Sequence, residues 1–348
     1  MSQSLFSRRS PSPEETSNGL HPRPTPPDQR RHHERIDVVA LNSKLTRPFY
    51  VRVALVIQTI WRALTINSKV AGGSAIVAFF LLVAIFGPSL LHGDPNYITH
   101  DAFLNPSSAH WLGTTDLGQD IFGQLILGTQ TSVLWGFFSG LLVTLLSVVI
   151  GLVGGYFGGI IDEALSFVTN VFLVLPGIPL MLVIASYVPA SALSVSLVVA
   201  LTSWAWGARV LRAQTLSLRS REFVTAARST GESTLRTIFF EVFPNQISLV
   251  AANFVSTMIQ VILSFAALQF LGLGDITQTS WGTMLYWAQS RGALLGERWW
   301  WFIPPGLCIA VLGAGLSLIN FGIDEVADPR LRKAPKIKLA LKTKKVVA

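Results

Sequence analysis

The chain reads as an all-α polytopic membrane protein with six transmembrane helices, on three observations. Half of its 348 residues are hydrophobic and only 13% are charged, with a mean hydropathy of +0.50, a composition that soluble domains do not show. Six stretches supply the roughly 20 apolar residues that a helix needs to cross about 30 Å of hydrocarbon. They are Val70–Leu91, Ser132–Gly155, Ala164–Tyr187, Ser191–Ala208, Gln246–Gly272 and Trp300–Gly322. Finally, Lys and Arg are absent from 70–208 and from 237–290 and crowd the segments around them.

Residues 1–44 are rich in Pro, Ser, Arg and His. They hold too little apolar surface to order themselves and are expected to form a disordered tail. His21, His32 and His33 lie there without a cysteine or a regular spacing, which favours solvation over metal binding. No signal-peptide layout is present, because the first long apolar run begins near residue 70 and is too long for an h-region. Residues 45–69, containing FYVRVALVIQTIWRAL, read as an amphipathic helix lying along the membrane surface.

In the second span, Gly136 and Gly140 form a GxxxG, and Gly151, Gly154, Gly155, Gly158 and Gly159 continue the small residues to its end. Such spacing lets helix backbones approach closely. Pro176 and Pro179 interrupt the third span and should kink it. The fourth is the shortest. The fifth carries Asn253, Ser256, Thr257, Gln260 and Ser264 at helical spacing on one face. That stripe serves either hydrogen bonding between helices or a water-filled path, with Asn170 and Asn320 as further candidates for the path. Cys308, the single cysteine, permits no disulfide framework.

Charge sets the orientation. The stretch up to Lys69 has 11 Lys and Arg against 5 acids, 209–236 has 6 against 2, and 323–348 has 8 against 3. The loop 91–131 holds Asp94, Asp101, Asp116 and Asp120 and no Lys or Arg. The positive-inside rule then puts both termini and 209–236 in the cytoplasm. The net charge of +8 belongs to faces beside anionic lipid, not to a nucleic-acid partner.

No enzyme chemistry emerges. The chain has no GxxxxGK[ST], HExxH or GxSxG run, so it has neither the usual phosphate cradle nor a familiar catalytic set. It is expected to bind no cofactor itself; any ATP would be used by partner subunits. No Asp, Glu, Lys or Arg lies near the centre of a span, which argues against a carrier powered by ion relays.

The segment 209–244 is neither a span nor an ordinary loop. It holds six arginines, no lysine and a central Gly231. TAARSTGESTLRTIFFEVFPN at Thr225–Asn245 resembles the EAA loop of permeases in binding-protein-dependent ABC importers: an Ala pair at Ala226 and Ala227, then Gly231, then an apolar run ending at Pro244. REFVTAAR at Arg221–Arg228 and the terminal Pro-Asn look like the dipeptide/oligopeptide branch. LGTTDLGQDIFGQLILGTQTS at Leu112–Ser132 is similar to the outside motif of that branch. GGYFGGIIDE, Ser280–Gly282 and DEVADPRLR fit its C-type subunit. The resemblance covers about 70–333. The sequence departs from the pattern at Thr225, where the family has glutamate, and at Gln119 and Gln130, where it has arginine.

The resemblance implies a type I ABC importer permease fold over 70–322, with a coupling loop at 209–245 and a basic cytoplasmic tail at 323–348. It implies a homologous second permease, two cytoplasmic ABC ATPases and an extracytoplasmic substrate-binding protein as partners. Arg221, Glu222, Thr225, Ala226, Ala227, Arg228, Gly231 and Pro244 are the residues it assigns to ATPase coupling. A secondary carrier or channel is the alternative, and would carry solute without nucleotide. The topology is directly testable. With Cys308 removed, a cysteine at Ser108 is expected to react with an impermeant maleimide on intact cells and one at Ser220 is not; the reverse pattern overturns the charge reading.

Overall fold

The computed structural model describes residues 68–91 and 93–327, with side chains described up to residue 323 in the last helix. The expected tail at 1–44, nearly all of the surface helix at 45–69 and the basic tail beyond residue 327 lie outside the described residues. Within them the chain is helical, without a strand, and is an all-α polytopic membrane protein.

The helices are α1 (Ser68–Leu90) and α2 (Ile121–Phe157), the pair α3 (Gly159–Val174) and α4 (Gly177–Tyr187), then α5 (Ala192–Arg219) and α6 (Glu222–Ser229). There follow α7 (Thr234–Phe270), α8 (Trp281–Ser290) and α9 (Trp299–Ala327). Five of them, α1, α2, α5, α7 and α9, are each long and apolar enough to span, and α3 with α4, bent by 96°, brings the number to six when the pair is counted as one broken span. The cause of the bend is local. Leu175 precedes a proline and takes an extended conformation, ψ 135°, and Pro176 sits at the cap of α4, as sterics before proline and the missing N–H require.

Three boundaries differ from the hydropathy reading. The second span begins at Ile121 rather than Ser132, because Asp120 caps it by accepting from the Gly123 N–H at 2.8 Å. The fourth is a 28-residue helix instead of the shortest span; Arg209 and Arg212 end the apolar run, but the helix continues to Arg219. The expected outside loop after α7 contains α8, started by a capping box of Ser280 and Thr283.

Small residues decide which helices touch. A Cβ on Gly151 would fall 2.8 Å from Leu211 Cβ, and one on Gly155 2.6 Å from Thr215 Cβ, so α2 and α5 meet at backbone distance. Gly207 admits Ser147 in the same seam, where the serine Oγ lies 2.8 Å from both the Val143 and Trp204 carbonyls. Gly136 and Gly140 face Ile262 and Met258 of α7, and Gly73 meets Gly315 between α1 and α9. Since hydrocarbon is as apolar as the side chains, this close packing and buried hydrogen bonding hold the helices together. Outward residues such as Phe79, Ile85, Phe167 and Leu201 are left exposed, as a bilayer permits.

Gly155→Val places its branched carbon against Thr215 and the Arg212 carbonyl. It is expected to destabilise the bundle by about 1–3 kcal/mol, read as a lower thermal unfolding midpoint in detergent. Gly313, whose added Cβ meets nothing within 4 Å, is the control; Gly313→Ala should leave the midpoint unchanged or slightly raised.

Candidate functional site

The residues expected to couple gather at one end of the bundle on α6 and the turn after it. Of the eight residues of α6 only Val224 is buried. It is fully enclosed in a cluster with Leu152, Tyr156, Ile238 and Val242, so one apolar peg fixes the helix. Two arginines reinforce it. Arg228 lies 4.7 Å above the Tyr156 ring, and its Nε donates to the Tyr156 hydroxyl at 3.1 Å. Arg219 reaches the Gly155 and Tyr156 carbonyls at 3.4 Å. Arg228 thereby ties α6 to the end of α2, beside the Gly155 contact of the α2–α5 seam.

The helix ends in a Schellman motif: Glu232 N–H donates to the Ala227 carbonyl at 3.1 Å, and Gly231 N–H to Arg228 at 3.0 Å. Gly231 has φ +82°, and a Cβ there would meet nothing within 4 Å. Its backbone conformation, not lack of space, excludes a side chain. The outer surface is open. Arg221, Glu222, Thr225 and Ala226 are exposed and Ala227 half-buried. The Thr225 hydroxyl turns back to the Arg221 carbonyl at 3.3 Å. Phe223, Leu235, Phe239 and Phe240 are exposed beside them. A cleft of about 630 Å³ opens between Tyr156, Phe157, Arg219, Thr225, Arg228 and Glu232. Arg228 and Arg236 are engaged within the chain, the latter with Glu232 at 3.5 Å.

The start of α7 is irregular. Thr237–Val242 is π-helical and Phe243–Gln246 is 3₁₀, with Pro244 in that turn. Asn245 Nδ2 donates to the Glu241 carbonyl at 2.6 Å, and Gln246 Nε2 to Thr215 Oγ1 of α5 at 2.8 Å.

The polar stripe of α7 divides. Asn253 is buried against Gly207 and Ser147, in the helix contact. Ser256 donates to Asn320 Oδ1 of α9 at 3.1 Å. Thr257 is half-buried and Gln260 exposed. Asn170 is elsewhere, accepting from Arg209 Nη2 of α5 at 2.6 Å.

Sequence reasoning overlooked three contacts. Arg212 grips Asp162 with two hydrogen bonds, one of them Nη2 to Oδ2 at 2.8 Å, a geometry favoured by the planar fork. The others are the Tyr156–Arg228 stack and the Gln246–Thr215 bond. Each joins residues at least 31 positions apart, so no local spacing announces them.

At the opposite end the 93–120 segment folds over the bundle. Gln119 Nε2 donates to the Asn96 carbonyl at 2.8 Å, and Gln124 Nε2 to Gln119 Oε1 at 3.0 Å. Thr279 donates to Asn96 Oδ1 at 2.9 Å, and Asp116 pairs with Arg291 at 3.1 Å. A cavity of about 250 Å³ lies among Asn96, Asp116, Gln119, Gln124, Thr279 and Trp287. Trp281 is fully buried; its N–H groups donate to Ser132 and Thr129. Ser280 donates to Gln269 at 2.7 Å, so the Ser280–Gly282 motif locks this end. Hydrogen bonds from the Thr277 hydroxyl and N–H hold Asp275 below the usual carboxylate range.

A membrane bundle with a pegged, outward-facing short helix at one end fits the importer-permease resemblance of the sequence. Residues 147–333 match the family described as binding-protein-dependent transport system inner membrane component, and the chain belongs to that family. It is 30% identical over 272 residues to an oligopeptide transport system permease of Bacillus subtilis, covering 77% of this chain and 87% of that protein. It is also 30% identical to a dipeptide transport system permease of Haemophilus influenzae, covering 80% and 96%. A glutathione transport system permease of Pectobacterium atrosepticum is again 30% identical, covering 78% and 90%.

Proposed function

We propose that the chain is one of two permease subunits in an ATP-driven importer of di- or oligopeptides or a related small solute. It forms half of the translocation path and works with a homologous permease, two cytoplasmic ATPases and an extracytoplasmic binding protein. The solute class rests on relatives that carry peptides by name. ATP is used by the ATPase subunits. Both termini and α6 lie in the cytoplasm, as the basic residues on that side require.

The observation that carries this reading is the construction of α6. A helix that is mostly exposed, yet fixed by Val224 and by Arg228 on Tyr156, transmits force instead of yielding. Arg221, Glu222, Thr225, Ala226 and Ala227 form the docking face. Arg228 holds it in place, and Gly231 and Pro244 set the path of the chain out of it. ATPase closure displaces α6, and its peg passes the displacement to α2 and α7. In the path, Gln260, Thr257 and Asn320 line the side open to solute, and Asn170 with Arg209 lies nearer the α6 end. Asn253 contributes at the edge of the seam.

Gly231→Leu forces a side chain into φ +82°, a strain on the order of 1 kcal/mol or more, and redirects the chain after α6. Ala227→Asp puts an uncompensated charge at the docking face. Both are expected to abolish solute-stimulated ATP hydrolysis in the reconstituted complex while the two permeases still co-purify. Parent-like hydrolysis in both would remove α6 as the coupling element. For the path, Gln260→Leu is expected to cut uptake at least severalfold with assembly intact. Loss of the partner permease from the purified complex would assign Gln260 to helix packing instead.

A further inference from the structure

The ten residues Thr237–Gln246, ahead of the regular part of α7, depart from α-helical winding in two opposite directions. Thr237–Val242 is underwound as π-helix and Phe243–Gln246 is overwound as 3₁₀; both are uncommon inside a helix and mark strain or a hinge. Pro244 explains the pair. It offers no N–H to the carbonyl of Phe240, and its ring would press on that carbonyl in an α-helix, so the turn before it widens. The next carbonyl, of Glu241, accepts from the Asn245 side chain. An underwound turn followed at once by an overwound one costs little net rotation. Pro244 holds the π turn as it is, but the overwound turn can relax to α-helix, which draws in and rotates the part of α7 beyond it.

The residues at this junction hold the neighbouring helices. Ile238 and Val242 enclose Val224 of α6, and Gln246 bonds Thr215 of α5. Gln246 is only 1% exposed, yet its Oε1 has no partner among the described residues. Two turns on, Asn253 Nδ2 is likewise buried and unpartnered beside Gly207 and Ser147. Buried polar atoms without partners raise the energy of the state that contains them. Two of them on one face of α7, both toward α5, describe a contact in one of two registers, with those atoms partnered in the other.

We propose that Thr237–Gln246 is a register switch between the coupling helix and the path, and that Gln246 is the latch holding it in the register seen here. Displacing α6 pulls Ile238 and Val242 with Val224, the 3₁₀ turn relaxes, and Gln246 leaves Thr215. α7 then shifts against α5 along the Gly207 seam. Gln246 is thus a positioning residue: it touches neither nucleotide nor solute. The proposal rests on the importer reading.

The test uses the full complex with its ATPases, Cys308→Ser, and spin labels at exposed Ser217 of α5 and Ser248 of α7, with a second pair at Ser217 and Ser229 of α6. Trapping with ATP and vanadate is expected to change the 217–248 distance by at least ~1.5 Å, the rise of one residue. Gln246→Leu and Thr215→Val each remove the latch bond from one side. Each should move the nucleotide-free distance toward the trapped value and raise basal ATP hydrolysis about fivefold, the scale of one net hydrogen bond. If trapping moves the 217–229 pair but not the 217–248 pair, or if both variants keep the parent's distance and basal rate, the switch is refuted and the importer reading stands. If neither pair responds to nucleotide, the importer reading falls with it.

Discussion

Close approach of α2 and α5 is the contact on which the other positions depend. Gly151, Gly155 and Gly207 let the two backbones meet, and Ser147 satisfies itself on the Trp204 carbonyl across the gap. Side chains at those glycines would spread the helices, and everything anchored on the pair would move. Thr215, against which Gly155 packs, receives Gln246 from α7. Gly155 and Tyr156 provide the carbonyls that Arg219 reaches, and Tyr156 carries Arg228. The Arg212–Asp162 pair ties α3 to the same stretch of α5. The end of the bundle that carries α6 is thus built outward from one seam of small residues.

The fold was readable where a single physical rule dominates. Apolar runs of membrane length marked the spans, and Pro176 marked a break, since no neighbouring residue can replace its missing donor. Gly231 was legible as a bend because only glycine takes φ +82° without strain. What hydropathy could not see is helix that continues beyond the hydrocarbon, as α5 does through Arg219, or helix that starts before it, as α2 does at Asp120. The 96° bend exceeds the kink that two prolines alone suggest.

The candidate site was legible in outline and not in its contacts. Exposed Ala226 and the turn at Gly231 follow from the local pattern. That Arg228 is held by Tyr156, leaving the exposed face of α6 less basic than its arginine count suggests, depends on residues 72 positions apart. The stripe on α7 shows the same limit. Helical spacing places Asn253, Ser256, Thr257 and Gln260 on one side, but neighbours decide their surroundings: Gly207 encloses Asn253, Asn320 takes Ser256, and Gln260 stays open.

The central claim is that α6, pegged by Val224, is where the ATPase engages. A photo-reactive amino acid at exposed Ala226, with another at Leu295 on the opposite end (93% exposed), measures it in intact membranes. Illumination is expected to join position 226 to an ATPase subunit and to leave position 295 without such an adduct. An ATPase adduct at 295, or none at 226 in a complex that still hydrolyses ATP, would contradict the account.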